Sequence, residues 1–382
     1  MDLAFSAEDD EFRDEVRTWL AENTPSERRP REGQAMRDYD LAWQRLQYDA
    51  GWAGISWPVE FGGRGLALTQ QLIWFEEYAR TGMRGIDARF VGPSHAGPTV
   101  IARATEEQQA FHLPKILRGD VVWCQGFSEP EAGSDLASLR TRAVVDGDEL
   151  VVTGQKIWTS FADVADYQEL LVRTNTEVPK HKGITWVICD MRSPGIDVRP
   201  IKTMEGGTDF CEVFYDEVRI PLANVVGAID NGWSVAMSTL SFERGTAFTV
   251  DQVQLSSTVE RLIEIARQRG LLDDDEIVRS FSQARADVAA LRALTYVGIS
   301  RNRRAPVPGP EGSIIKLHWA DLSKRIARLA VEIVGPRSLA LTDDDDGRWA
   351  DGYLASFAHS IGGGTSEIQR NIIAERVLGL PR

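Results

Sequence analysis

Histidine and cysteine are scarce in this chain, with five of the first and three of the second in 382 residues. Cys124, Cys189 and Cys211 share no metal-like spacing and make no even set. That argues against a zinc site and against a disulfide framework, and leaves packing roles in a reducing compartment. His95, His112, His181, His318 and His359 are scattered without a ligand pattern, and no metal is expected. Basic charge is also short. The 43 Lys and Arg face 57 Asp and Glu, a formal net charge of −14. A nucleic-acid binder needs a basic face, so that class is excluded. An anionic small ligand is not excluded, because a few local cations can hold one. No run of about eighteen apolar residues occurs, so no membrane span is expected. The stretch MDLAFSAEDDEFRDEV is acidic, the wrong composition for a signal or transit peptide. The expected location is cytoplasmic.

What the chain does have is a period that changes twice. Over 1–121 it is helical. Ser6 is placed to cap a helix in which Phe12, Val16, Trp19 and Leu20 recur at helical spacing. LTQQLIWFEEYAR gives another amphipathic helix, and GWAGISWPVEFGGRG between them a loop dense in Gly, Pro and Trp. TEEQQAFHLPKILRGD reads as a short helix broken at Pro114. Over 122–230 short β-rich runs follow one another, from VVWCQGFSEP to CEVFYDEVRI, with DGDE and SPG as turns. Over 231–382 the helical period returns in four long segments, 231–270, 274–304, 312–335 and 349–378. The Asp run 343–346 is a solvated loop. The expected order is helical domain, compact β domain, helical bundle.

Four stretches carry chemistry. GFSEPEAGSD (126–135) follows a strand and offers Ser128, the Gly133–Ser134 pair and three carboxylates. It is either a ligand loop, where small residues let amides approach, or a turn-rich connection. In TGQKIWTSFAD (153–163), Trp158 precedes Thr159 and Ser160 at a strand end. That indole either stacks on a flat heterocycle or packs the wall of the β domain. Trp233, Ala236, Leu240, Glu243, Ala247 and Val250 lie three and four apart, which puts one carboxylate in an apolar stripe. Glu243 is then a general base of raised pKa, or a structural acid paired with Arg285 or Arg292. In GGGTSEIQR, Ser366 and Gln369 match a capping box that starts a helix near 367. Gly362 to Gly364 would present bare amides at its positive end.

Taken in order, WPVEFGGRGLALTQQLIWFEEYAR, TEEQQAFHLPKILRGD, FSEPEAGSDLASLRTRA, GQKIWTS, FERG and GGGTSEIQRNIIAERVLG resemble the acyl-CoA dehydrogenase family. The match runs along nearly the whole chain. The resemblance implies an α+β multidomain fold: N-terminal helical domain, central β-barrel and C-terminal four-helix bundle. It implies FAD, an acyl-CoA substrate, and an electron-transferring flavoprotein as acceptor. In the family a carboxylate removes the α-proton while the β-hydrogen leaves as hydride to flavin N5, giving a trans-2-enoyl-CoA. By motif position, Gln125, Phe127, Ser128, Gly133 and Ser134 would line flavin and its diphosphate. Trp158, Thr159 and Ser160 would sit against the isoalloxazine, and Thr365 and Glu367 would meet the adenosine part. The N–H of Gly363 would help hold the thioester oxygen as negative charge develops there.

Two departures shape this expectation. Many members carry the base where this chain has Gly363. A smaller branch carries it on the first bundle helix, where Glu243 stands, followed by a positioning Arg, here Arg244. Homotetrameric members also lend Arg-x-x-Phe-Gly and Gln-x-x-Gly-Gly-x-Gly motifs to a neighbour's FAD. The corresponding stretches here, RQRGLLDDDEIVRSF and EIVGPRSLALTDDDD, hold neither. The resemblance therefore points to heterotetrameric actinobacterial members, with a homo-oligomer as the alternative. A non-catalytic subunit, and a flavin oxidase or monooxygenase on the same fold, are the competing readings.

Overall fold

The computed structural model describes residues 5–83, 87–242, 248–302, 309–339 and 348–381. In chain order, α1 (Ala7–Asn23), α2 (Gly33–Asp49), α3 (Leu68–Arg80), α4 (Gly97–Arg103) and α5 (Glu106–Arg118) precede the strands. Then come β1 (Trp123–Gly126), β2 (Arg142–Asp146), β3 (Glu149–Ser160), β4 (Tyr167–Arg173), β5 (Ile184–Asp190), β6 (Ile196–Ile201) and β7 (Phe210–Pro221). The chain continues with α6 (Gly232–Phe242), α7 (Phe248–Gln268), α8 (Asp275–Asn302), α9 (Gly312–Val334), α10 (Arg348–Ser356) and α11 (Ser366–Ile372). The order is helices, a curled central sheet, helices.

These elements gather into two compact units. One comprises Pro25–Leu66 and Ile86–Glu243, the other Met1–Thr24, Ala67–Gly85 and Arg244–Arg382. In the first, the strands run β1-β4-β2-β3-β7-β6, with β5 added on β4. β1 lies parallel to β4, while β2–β3, β3–β7, β4–β5 and β6–β7 are antiparallel. The predicted DGDE turn is a two-residue link between β2 and β3, and Gly147 takes the left-handed φ of +65° that it requires. β5 is buried at every position but its last, so both its faces are covered. Trp57, Trp123 and Trp186 lie fully buried among Leu113, Ile116 and Leu171. The three cysteines are free and buried; burial pushes Cys189 up to about 12 and Cys211 to about 11, which leaves the thiols unreactive.

α5 corrects the expected break at Pro114. It runs unbroken across the proline. Proline removes one backbone hydrogen bond, but Leu113, Ile116 and Leu117 beside it are anchored in the core and hold the turn in place. Burying three such side chains contributes roughly 5–9 kcal/mol, more than the proline costs.

In the second unit, α7, α8 and α9 pack on one another, with α10 along α9, and α3 lies against α1 and α7. Leu262, Phe281, Leu291, Trp319 and Ile326 form the core. Ser6 caps α1 as expected: its hydroxyl accepts from Asp9 N–H at 3.1 Å, and the Asp9 carboxylate takes Ser6 N–H at 3.1 Å. The expected long segment 349–378 is not one helix. α10 passes into a 3-10 turn at Phe357–Ser360, and α11 begins only after three glycines. Gly363 (φ +65°) and Gly364 (φ +90°) adopt a backbone no helix allows. No helix among the described residues is long and apolar enough to cross a membrane.

Candidate active site

The first group of candidate residues belongs to the sheet unit. After β1 the chain enters the 127–135 loop, which is stitched to β3. Ile157 N–H donates to Ser128 O at 3.0 Å. The Lys156 ammonium donates to Phe127 O at 3.1 Å and to Glu129 Oε1 at 2.8 Å. Glu129 also accepts the N–H of Arg140 (2.6 Å) and of Thr141 (2.9 Å). Lys156 is fully buried and Glu129 nearly so. Sequence reasoning missed this pair, although a Lys inside GQKIWTS on a β-strand was the signal. The loop so held turns the Phe127 ring into the core, leaves Ser128 half-buried, and exposes Gly133 and Ser134. Among the described residues, a Cβ at Gly133 would meet nothing within 4 Å. The Gln125 amide donates to Glu169 at 2.8 Å.

The register of β3 against β7 shifts between Lys156 and Thr159. That irregularity puts Trp158 at φ +61° with its indole 56% exposed and edge-on to Phe210. Trp158 is thus not buried in the wall of the sheet unit, though it touches Phe210. A bulky residue at positive φ is costly, and such strain concentrates at functional sites. Thr159 is fully enclosed, and its Oγ1 finds no partner among the described residues. Ser160 is half-buried at the strand's end.

The second group belongs to the other unit. Around the triple glycine, Lys316 Nζ donates to His359 O (3.0 Å) and Gly364 O (2.7 Å). Gln369 Nε2 donates to Gly363 O (3.0 Å) and Gly364 O (3.2 Å). Among the described residues, no acceptor takes the N–H of Gly363 or Gly364. The cap differs from expectation. Thr365, not Ser366, is the N-cap, its hydroxyl accepting from Ile368 N–H at 3.3 Å. Ser366 Oγ is buried without a partner among the described residues. Threonine one residue earlier wins because the glycines let the chain turn directly into it. α11 has only seven residues, so its dipole adds little. Glu367 is exposed beside Arg370.

Glu243 and Arg244 lie outside the described residues, as does the Asp run 343–346. The two arginines weighed as partners of Glu243 are engaged elsewhere: Arg285 pairs with Glu260, and Arg292 with Glu76. A carboxylate that sequence reasoning passed over, Asp251 on α7, is pushed up to about 7 by burial. Among the described residues, no group of three His, Cys, Asp or Glu could hold a metal.

Three family models match the chain. The acyl-CoA dehydrogenase N-terminal domain matches residues 6–120, the middle domain 124–218 and the C-terminal domain 230–378. The chain belongs to the acyl-CoA dehydrogenase family. Acyl-CoA dehydrogenase IpdE1 of Mycobacterium tuberculosis is 38% identical over 380 residues, 98% of each chain. The solved ChsE4-ChsE5 complex from Mycobacterium tuberculosis matches with TM-score 0.87 and 32% identity, covering 100% of both chains. The Tcur3481-Tcur3483 steroid ACAD matches with TM-score 0.89, 32% identity and the same coverage. An acyl-CoA dehydrogenase is an oxidoreductase acting on a CoA thioester, and membership implies FAD as cofactor. The residues present fit that group. Within the sheet unit, the exposed Trp158 indole offers a ring face and the exposed Gly133–Ser134 turn offers close backbone approach.

Proposed function

We propose that this acyl-CoA dehydrogenase removes the α-proton of its substrate with Glu243 and yields a trans-2-enoyl-CoA. The base position usual in the family is Gly363 here, and the alternative position holds Glu243. The observation that carries the reading is the triple-glycine turn, in which the carbonyls of Gly363 and Gly364 are taken while, among the described residues, the amides of Gly363 and Gly364 remain available. An α-C–H beside a thioester is a weak acid, so the carbonyl oxygen must be held as charge moves onto it. The Gly363 N–H supplies a donor for that oxygen. Glu243, in an apolar stripe, takes the proton, and Arg244 positions it. Bound FAD supplies the acceptor for the β-hydrogen. Trp158 covers a ring face, while Gln125, Phe127, Ser128, Gly133, Ser134, Thr159 and Ser160 hold the cofactor through loop and strand. Thr365 and Glu367 serve its adenosine end. The domain limits that accompany this reading are 1–121, 122–230 and 231–382.

The chain works with a related, non-identical subunit, and electrons leave to an electron-transferring flavoprotein. The missing Arg-x-x-Phe-Gly and Gln-x-x-Gly-Gly-x-Gly motifs support this, as does the likeness to the ChsE4-ChsE5 complex. The likeness to a steroid ACAD makes bulky acyl groups the first to try. The test is turnover with CoA thioesters, from short branched to sterol side-chain, using an artificial electron acceptor. Reduction with at least one bulky thioester is expected. Inertness toward all of them, alone and with the related subunit, would leave the non-catalytic reading.

A further inference from the structure

The triple-glycine turn rests on a buried cation. Lys316 stands on α9, 4% exposed, and its ammonium bonds two carbonyl oxygens, His359 O and Gly364 O. Among the described residues no carboxylate lies within ion-pair distance of it. A buried charge without a counter-ion is costly and is kept where its hydrogen bonds do a job. Gln369, 1% exposed, adds two bonds to the oxygens of Gly363 and Gly364. Consecutive glycines have the freest backbone of any sequence, and their peptide planes rotate easily. Here Lys316 ties the carbonyls of His359 and Gly364, before and after the Gly362–Gly363 peptide that carries the Gly363 N–H, and Gln369 ties Gly363 O, so the backbone around that N–H is held from both sides. Among the described residues, a Cβ on Gly363 would lie 3.9 Å from Lys316 Cε and nearer to nothing else.

We propose that Lys316 is a positioning residue for acyl-CoA oxidation, fixing the 362–364 turn so that the Gly363 N–H is presented to the thioester oxygen. The inference rests on the reading that this N–H serves that oxygen. Lys316 does not touch the substrate. It acts by anchoring the backbone on both sides of the Gly363 N–H, at His359 O and Gly364 O, so that this donor keeps one place.

The probe is acetoacetyl-CoA, whose C–H between two carbonyls ionises to an ultraviolet-absorbing enolate. The enolisation midpoint of the bound probe is measured by pH titration on the holoenzyme. Wild type is compared with Lys316→Met, Lys316→Arg and Gln369→Met, with FAD content recorded for each. Wild type is expected to lower the midpoint below that of the free probe. Lys316→Met is expected to return it by about one pH unit, a tenfold loss, smaller than deleting an oxyanion donor outright. Probe affinity and FAD content stay within about twofold, and Lys316→Arg recovers part of the shift. A merely structural lysine would move FAD content or folding but not the midpoint. A folded Lys316→Met with the wild-type midpoint overturns the proposal. If that variant does not fold, an unchanged midpoint in both Lys316→Arg and Gln369→Met overturns it instead. A wild type that leaves the probe's midpoint unmoved overturns the Gly363 reading itself, and the proposal falls with it.

Discussion

Lys156 on β3 and Glu129 in the loop after β1 meet at 2.8 Å with the lysine fully buried. Their contact holds the loop that carries Ser128, Gly133 and Ser134 to β3, the strand that carries Trp158. Removing one partner strands the other's charge. Lys156→Met is therefore expected to destabilise the protein by about 3–5 kcal/mol, with Lys156→Met/Glu129→Gln recovering part of the loss. Urea unfolding of the single and double variants measures both.

The same pair sets a pH dependence. Burial alone would raise the Glu129 carboxyl, but the Lys156 charge and the N–H donors of Arg140 and Thr141 outweigh it and hold it below 4.5. The stabilisation is present above pH 4.5 and is lost as pH falls through the folded value. Lys156 acts in the other window. Burial pulls its ammonium from 10.5 to about 8. Between those values the unfolded chain binds the extra proton, so this group makes stability rise with pH. The urea midpoint of wild type minus that of Lys156→Met is expected to rise from pH 8 toward 10.5. A flat or falling difference contradicts the assignment.

Trp158 holds a strained backbone to present its indole. Trp158→Gly is expected to raise the stability of the apoprotein, since the positive φ costs about 1–3 kcal/mol for a bulky residue. FAD retention is expected to weaken in the same variant. Thermal unfolding of the apoprotein and fluorescence titration with FAD measure the two effects; stability and cofactor affinity falling together would count against a cofactor role.

Glu76 on α3 is almost wholly buried. It accepts from Arg13 (2.9 Å), Arg292 (2.8 Å) and Tyr296 (2.6 Å), tying α1, α3 and α8 together. Glu76→Ala is expected to cost about 3–5 kcal/mol in urea unfolding, because two arginines lose their shared anion. Burial and Glu76 push the Tyr296 hydroxyl up to about 12. Its titration, followed by ultraviolet absorbance, is expected at lower pH in Glu76→Gln.

If the chain depends on a related subunit, it is expected to purify alone with well under one FAD per chain. Co-expression with that subunit would then bring the ratio up. Absorbance ratios and mass measurement in solution check it. A tetramer of this chain alone, with full FAD and turnover, contradicts the heteromeric reading.

Much of the fold was legible because periodicity is a local property. The β2–β3 turn, the Ser6 cap and α3 follow from adjacent residues. Pro114 was misread because distant packing, not local propensity, decides whether α5 continues. The cap of α11 moved from Ser366 to Thr365 because the glycines' conformation, invisible in composition, fixes where the turn ends. The motif residues of the candidate site were legible as types. What stands behind them was not. Lys156, Glu129 and Lys316 are brought to their places by contacts 27 to 48 residues away. A lone lysine in a strand or helix pattern looks like a solvated residue until the tertiary structure buries it.

The central claim is that Glu243 takes the α-proton. The direct measurement is anaerobic mixing of the FAD-loaded protein, with its related subunit if one is needed, and a CoA thioester that wild type oxidises. Wild type is expected to bleach the flavin absorbance, and Glu243→Gln to slow that bleaching by at least about a hundredfold while still binding the thioester. Bleaching at the wild-type rate in Glu243→Gln would contradict the account and move the base elsewhere.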